Sequence, residues 1–342
     1  MQVAFHWQQA GQADKALAAA VRAGDLARAA HAPAEALAQY TLAIDGWQNL
    51  PNPRSVAGVE EISLLERAAE AASAAGDNAR ARELAQRVLA RTDIGAEPVK
   101  AALRLERLGW FSWLAGDLAT SRQAYQGALR VIPSQPSAAR ARVLAATAQS
   151  LMLQAQFLSS RGYAEQAVAA ARAVGARAEE AHARNTLGTD LAALGCHADG
   201  AEVIRTGLRI AQQTGETTEA ARCHLNLTEA LIEARQPQAA LLAGEEGVAE
   251  ATALGLGRVH AAAILGGLLE ALYLLGRWDE VQARARAALD SEPEPWSMIP
   301  VRVPRCRVAL ARSDLAGHLN AHGVRLFRLK ADSGLARGPR PY

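Results

Sequence analysis

The sequence predicts an all-α fold, a right-handed superhelix (solenoid) of about seven to eight helical hairpins. Three observations predict it. A short pattern returns at an average spacing of about forty residues, as Leu108-Gly109, Gly116-Asp117-Leu118, Tyr125, Ala128-Leu129 and Pro133. It returns again as Leu268, Leu272, Gly276-Arg277-Trp278, Ala288-Leu289 and Pro293. Apolar residues recur at three- and four-residue steps, and no stretch keeps the alternation of a strand. Alanine dominates the apolar half of the composition, which favours helices and lets them approach closely.

The elements follow in order from turns and breakers. Turns fall near Gly11, His31, Gly76, Gly116, Gly162, Gly195, Arg235 and Gly276, and the last four intervals are 46, 33, 40 and 41 residues. Glycine suits such turns because it adopts positive φ between two helices at little steric cost. Five positions later a small residue recurs, as Ala16, Ala36, Ala81, Ala167 and Ala240, with Ser121, Gly200 and Val281 in its place elsewhere. There the second helix of a hairpin crosses the first, and bulk would push the pair apart. Leu50-Pro51-Asn52-Pro53 ends one helix, Glu97-Pro98 opens another, and Pro133 and Pro136 frame a loop. Glu292-Pro293-Glu294-Pro295 closes the last full hairpin, and Val301 to Arg312 reads as a further helix. After Asp314 the repeat decays. One repeat domain over 1–312, with an irregular entry over 1–50, and a disordered basic tail over 313–342 are therefore expected.

Composition excludes more than it names. The formal net charge of the 342 residues is +2, but nine basic residues lie after Met298 against Asp314 and Asp332 alone. That tail reads either as a solvated terminus or as a nucleic-acid footprint, and direct nucleic-acid binding ranks second. Cys196, Cys223 and Cys306 are too few and too scattered for a disulfide framework, which points to a reducing compartment. No apolar run approaches the roughly eighteen residues that span a bilayer, and the first residues lack a basic stretch before an apolar core. The cytoplasm is the expected location, with no membrane partner.

No chemistry-bearing motif emerges. None of the three lysines follows a glycine, so no phosphate-binding loop is present, and G-x-S-x-G and H-E-x-x-H are missing. Cys196-His197 and Cys223-His224 are adjacent pairs, whereas zinc prefers ligands paired two to four residues apart. Glu179-Glu180 with His182 sit at a helix start, where acidic residues complement the macrodipole. The reading is a non-enzyme with no cofactor and no metal.

Leu108, Gly109, Gly116, Tyr125, Ala128 and Pro133 match the signature positions of the tetratricopeptide motif. More specific phrases run from Ala181 to Gly188, from Cys223 to Leu227 and from Leu269 to Glu280. Together with His6-Trp7, Ala10-Gly11, Ala16-Leu17, Glu35-Ala36, Tyr40, Ala43 and Trp47, these resemble the helical-repeat region of actinobacterial LuxR-type regulators that carry an ATPase. The resemblance covers residues 1–312. It implies a sensor arm in transcriptional regulation and signal transduction. The ATPase and helix-turn-helix domains of that family have no counterpart in these residues, so the chain reads as a fragment, as a split gene product whose other domains are encoded separately, or as a stand-alone repeat protein.

In a superhelix of hairpins the first helices line the concave face, the usual binding surface. The turn register places Glu106, Arg107, Trp110 and Trp113 there in one repeat, and His182, Asn185, Thr186 and Thr189 in another. Arg222, Asn226, Glu229 and Glu233 follow, then Glu270 and Tyr273. Carboxylates, amides and arginine on one face suit a peptide backbone or a small polar effector. Trp110 and Trp113 read either as anchors of a binding hot spot or as filling between repeats. A protein partner or small effector in the groove is the leading expectation, and a scaffold that joins two partners is the alternative.

Overall fold

The computed structural model describes residues 2–256, 260–291 and 298–312, and the basic tail over 313–342 lies outside them. The first helices are α1 (Gln2–Gln9), α2 (Ala13–Ala29), α3 (Pro33–Trp47), α4 (Pro53–Ala57), α5 (Glu61–Ala74) and α6 (Asn78–Ala90). Next come α7 (Pro98–Leu114), α8 (Leu118–Val131), α9 (Ala138–Met152), α10 (Phe157–Val174), α11 (Arg177–Ala193) and α12 (His197–Thr214). The remainder are α13 (Thr217–Glu233), α14 (Pro237–Ala253), α15 (Ala262–Leu274), α16 (Trp278–Ser291) and α17 (Ile299–Ala311). Among the described residues there is no strand, and no helix is long and apolar enough to cross a membrane.

Local chemistry sets most helix ends. Prolines occupy the first turn of α3, α4, α7, α14 and α17, where the missing N–H is one that no helix would use. Asp77 and Asp117 accept the backbone N–H of Arg80 and Thr120 at 3.0 Å, and Ser137 Oγ accepts that of Arg140 at 3.1 Å. Each hairpin turn holds one residue at positive φ, and the next N–H closes back on the first helix. Asp117 N–H reaches Ser112 O at 2.8 Å, Cys196 N–H reaches Leu191 O at 2.8 Å, and Gln236 N–H reaches Leu231 O at 2.9 Å.

The structure corrects one turn, and the correction regularises the repeat. Gly162 lies within α10, and the left-handed residue is Ala155 at φ 57°. Counted from Gly76, the turns then stand at Gly116, Ala155, Gly195, Arg235 and Gly276, spaced by 40, 39, 40, 40 and 41 residues. The site five positions past Ala155 is Ser160, which is fully buried and replaces Ala167 in that series. The turn escaped notice because Gln154-Ala155-Gln156 contains no glycine, whereas Gly162 offered one seven residues later. His31 and Arg235 adopt the same strained conformation at φ 54° and 60°.

The chain forms two compact units, Met1–Gln154 with Gln166–Ala176 and Ala155–Glu165 with Arg177–Tyr342. In the first, the core runs from Leu17, Val21 and Tyr40 through Leu64, Leu65 and Leu84 to Phe111. Small residues make room for large ones across each hairpin. A Cβ on Gly24 would come within 2.5 Å of the Tyr40 ring, and one on Gly109 within 2.9 Å of the Tyr125 ring. The Tyr40 hydroxyl donates to Asp25 Oδ1 at 2.7 Å, and Arg67 grips both oxygens of that carboxylate at 2.9–3.0 Å. Burial, then the Asp25 contact, pushes the Tyr40 hydroxyl up to about 12, so it stays a donor.

In the second unit, Ile204, Leu227, Leu231, Leu268, Leu269 and Leu272 form the core. Helices α11 and α12 meet backbone to backbone. A Cβ on Gly188 would lie 2.6 Å from the Gly200 carbonyl oxygen, and one on Gly200 would lie 2.5 Å from the Gly188 oxygen. One charge is sealed inside. Asp190 is fully buried; its Oδ2 accepts from Ser160 Oγ at 2.6 Å, while Oδ1 has no partner. Burial raises this carboxyl to about 7 against the opposing pull of Ser160.

These features make two predictions. Ala155→Gly relieves the left-handed Cβ and stabilises the fold by about 0.5–1 kcal/mol, whereas Gly188→Val overpacks the crossing and costs about 1–3 kcal/mol, both read as thermal midpoints. The folded pKa of Asp190 lies above its unfolded value, so its proton favours the folded state at low pH. That stability is lost as pH rises from about 4 through about 7. Asp190→Asn should flatten that decline, and an unchanged slope of midpoint against pH would refute the assignment.

Candidate binding surface

Successive first helices bring residues about one repeat apart into contact, and polar side chains at these positions pair across them. In the first unit, Glu66 accepts from Arg104 Nε at 2.8 Å, and Glu70 takes a two-pronged grip from Arg107 at 2.7 and 2.6 Å. Glu106, only 5% exposed, accepts from Arg142 at 3.2 Å. Each time the carboxylate stands on the earlier helix and the arginine on the later one. Exposed pairs of this kind add little stability singly; three in series hold guanidinium groups in fixed positions.

Glu106 and Arg107 therefore enter this ladder, the first almost buried and the second lying over the Phe111 ring at 4.5 Å. Trp110 and Trp113 stack at 5.4 Å with ring planes 15° apart, both half-buried, and Trp110 also packs against the first core. Glu66, Glu70, Arg104 and Arg142 were missed by the sequence reading. Their signal was available as Glu66 and Glu70 one helical turn apart, and Arg104 three residues before Arg107.

These residues surround a hollow of about 460 Å³ between α5, α6 and α7, with Arg142 contributed by α9. Ala69, Ala85, Val88 and Leu103 give it an apolar lining. Lys100, Arg104, Arg107 and Arg142 line it with Glu66 and Glu70, while Glu97 and Glu106 pair with Lys100 and Arg142, so each of the four cations meets a carboxylate.

In the second unit α13 carries Glu219, Arg222, Asn226, Glu229 and Glu233 at helical spacing along one face. Asn226 Nδ2 donates to Asn185 Oδ1 at 2.9 Å, and Asn185 Nδ2 donates to Glu219 Oε1 at 2.7 Å. Arg222 Nη1 closes the chain on Glu219 Oε2 at 2.6 Å. Asn185 is thus buried in a relay that spans α11 and α13. Glu219 was missed, although it stands one helical turn before Arg222. Thr189 Oγ1 donates to Asn185 O at 2.9 Å within its own helix, and Thr186 is buried with its hydroxyl unpartnered. His182 is half-buried on the same helix.

Glu229 and Glu233 keep exposed surface, yet protein crowds around Glu229 and raises its carboxyl, with the Glu233 charge adding to the effect. His260 lies near Arg222; burial first, then the Arg222 charge, lowers its imidazole. It also escaped the sequence reading, because it stands before the regular register of α15 begins. At the far end Glu270 accepts from Arg307, whose guanidinium covers the Tyr273 ring at 4.3 Å. Tyr273 in turn stacks on Trp278 at 5.9 Å.

The two Cys-His pairs lie in different surroundings. Cys196 is exposed at the N-cap of α12, with His197 as its first residue. Within α13, Cys223 is buried and its thiol is pushed up by burial, while His224 is buried 3.0 Å from Glu250. Among the described residues no three His, Cys, Asp or Glu side chains gather as a metal site. The chemistry on offer is recognition: fixed guanidinium groups, amides and carboxylates beside small apolar floors.

No protein-family model matches the sequence. No characterised protein matches it by sequence comparison either. Among solved structures the chain is similar to a Rap protein complexed with competence and sporulation factor, with a TM-score of 0.57 at 12% identity over 94% of this chain and 88% of that one. RapI in its apo form gives 0.48 at 11% identity over 74% and 98% of the two chains. BtubC from P. vanneervenii gives 0.47 at 14% over 81% and 95%. At these identities the likeness is one of fold: a tetratricopeptide-like array of helical hairpins.

Proposed function

We propose that this chain is a non-enzymatic recognition module that captures a protein partner or a small effector on its first-helix face. Its role would be to sense that partner in transcriptional regulation and signalling in the cytoplasm. The observation that carries the reading is the α13 face: Glu229 and Glu233 stay open to solvent, while Glu219, Arg222 and Asn226 on the same helix are held with Asn185 in a hydrogen-bonded relay. A surface ordered before contact loses little side-chain entropy on binding. Two carboxylates one helical turn apart, each adding to the other's repulsion, favour a cationic or amide-rich segment that relieves it. The resemblance of the phrases around Ala181–Gly188 and Leu269–Glu280 to LuxR-type regulators supplies the regulatory context. The Rap protein of similar fold, solved with competence and sporulation factor, supports a factor-sensing role for this architecture. In this reading the repeats supply recognition, and no cofactor or membrane is needed for it.

The test is capture of purified ATPase and helix-turn-helix domains of LuxR-type regulators on the immobilised chain, read by interferometry. Binding should be weakened about tenfold or more by Glu229→Arg with Glu233→Arg. Silence of every domain, or binding indifferent to the charge reversal in a folded variant, counts against the reading.

A further inference from the structure

The hollow in the first unit is a separate feature from the α13 face, and its chemistry is more particular. Three guanidinium groups and one ammonium line it, each paired with a carboxylate: Arg104 with Glu66, Arg107 with Glu70, Arg142 with Glu106 and Lys100 with Glu97. Each arginine is oriented by a glutamate. Arg107 spends Nε and Nη2 on Glu70, and Arg142 spends Nε and Nη2 on Glu106. Among the described residues, Nη1 of both has no protein acceptor. Phe111, almost fully buried, backs the Arg107 plane and stops it folding away. Two fixed donors with unused N–H groups beside an apolar floor form an incomplete recognition set, and what is missing is an oxyanion.

The floor limits the rest of the ligand. Ala69, Ala85, Val88 and Leu103 offer no hydrogen bond from their side chains, so a sugar or a bare inorganic ion would leave that surface unused. A volume of about 460 Å³ lies in the lower part of the range of small-molecule sites and is too small for a folded partner. We infer that this hollow binds a small amphiphilic anion, a carboxylate or phosphomonoester with a compact apolar body. Its charged end would sit between Arg107 and Arg142, and its body on Leu103 and Val88. Glu66 and Glu70 discourage binding of a bare polyanion, because their charges stay in the rim after pairing. The inference rests on the effector-sensing half of the proposed function. A failed titration with partner capture intact removes this site alone.

The experiment is calorimetric titration of the full chain with octanoate and with octyl phosphate, alongside octanol, octylammonium and inorganic phosphate. The expected result is saturable binding of one or both amphiphilic anions, with octanol, octylammonium and inorganic phosphate at least about tenfold weaker. The arm that binds more tightly distinguishes carboxylate from phosphate. Arg107→Gln and Arg142→Gln should each weaken binding about tenfold, and Arg142→Lys less so because it keeps the charge. Leu103→Trp should abolish binding by filling the hollow while the helical circular dichroism stays unchanged, and Arg209→Gln on α12 should leave it as it was. Equal binding of octanol and octanoate, no heat from either anion at millimolar concentration, or full binding by folded Leu103→Trp overturns the assignment.

Discussion

Every regular hairpin in this chain depends on one residue held in the left-handed region between two helices, with the next N–H returned to the helix just ended. That turn fixes where the second helix begins, and therefore which residue meets the first helix at the crossing. Five positions on, the crossing site is Ala36, Ala81, Ser121, Ser160, Gly200, Ala240 or Val281, all buried. Chain geometry at the turn and volume at the crossing are two halves of one constraint. Where the crossing residues are both glycine, as with Gly188 and Gly200, the helices approach until backbone touches backbone.

The constraint outranks local preference. Ala155, His31 and Arg235 each carry a Cβ into a conformation that glycine would occupy more easily. They persist because the hairpin register over-determines them: moving the turn by one residue would rotate the whole following helix by about 100° and expose its apolar face. The same register explains the polar surface. Residues about one repeat apart become neighbours on adjacent first helices, so Glu66 and Arg104, Glu70 and Arg107, Glu106 and Arg142, and Glu270 and Arg307 meet as pairs. A repeated backbone thus produces a repeated charge ladder, and the ladder holds its arginines in place.

Much of this was legible because it is local. The helix ends at Pro33, Pro98 and Pro237, the aspartate caps and the glycine turns each act within a few residues. Turn register was enough to place Asn185, Arg222, Asn226 and Glu229 on first-helix faces. It could not tell that Asn185 is sealed in a relay while Glu229 keeps open surface, because burial at a face depends on the neighbouring helix. The turn at Ala155 was illegible for a different reason: no residue in Gln154-Ala155-Gln156 prefers positive φ.

By itself the sequence determined the helical class and the average forty-residue period. Those follow from periodicity and turn chemistry, which act over a turn or two of helix. Only the tertiary structure decided which polar groups pair. Partnerships such as Arg142 with Glu106, or Asn226 with Asn185, link residues 36 and 41 positions apart. It also decided that Asp190 is buried beside Ser160 and that Arg107 and Arg142 share a hollow. The physical reason is that hydrogen-bond distance and burial are properties of adjacent helices, and adjacency appears only once the hairpins have stacked.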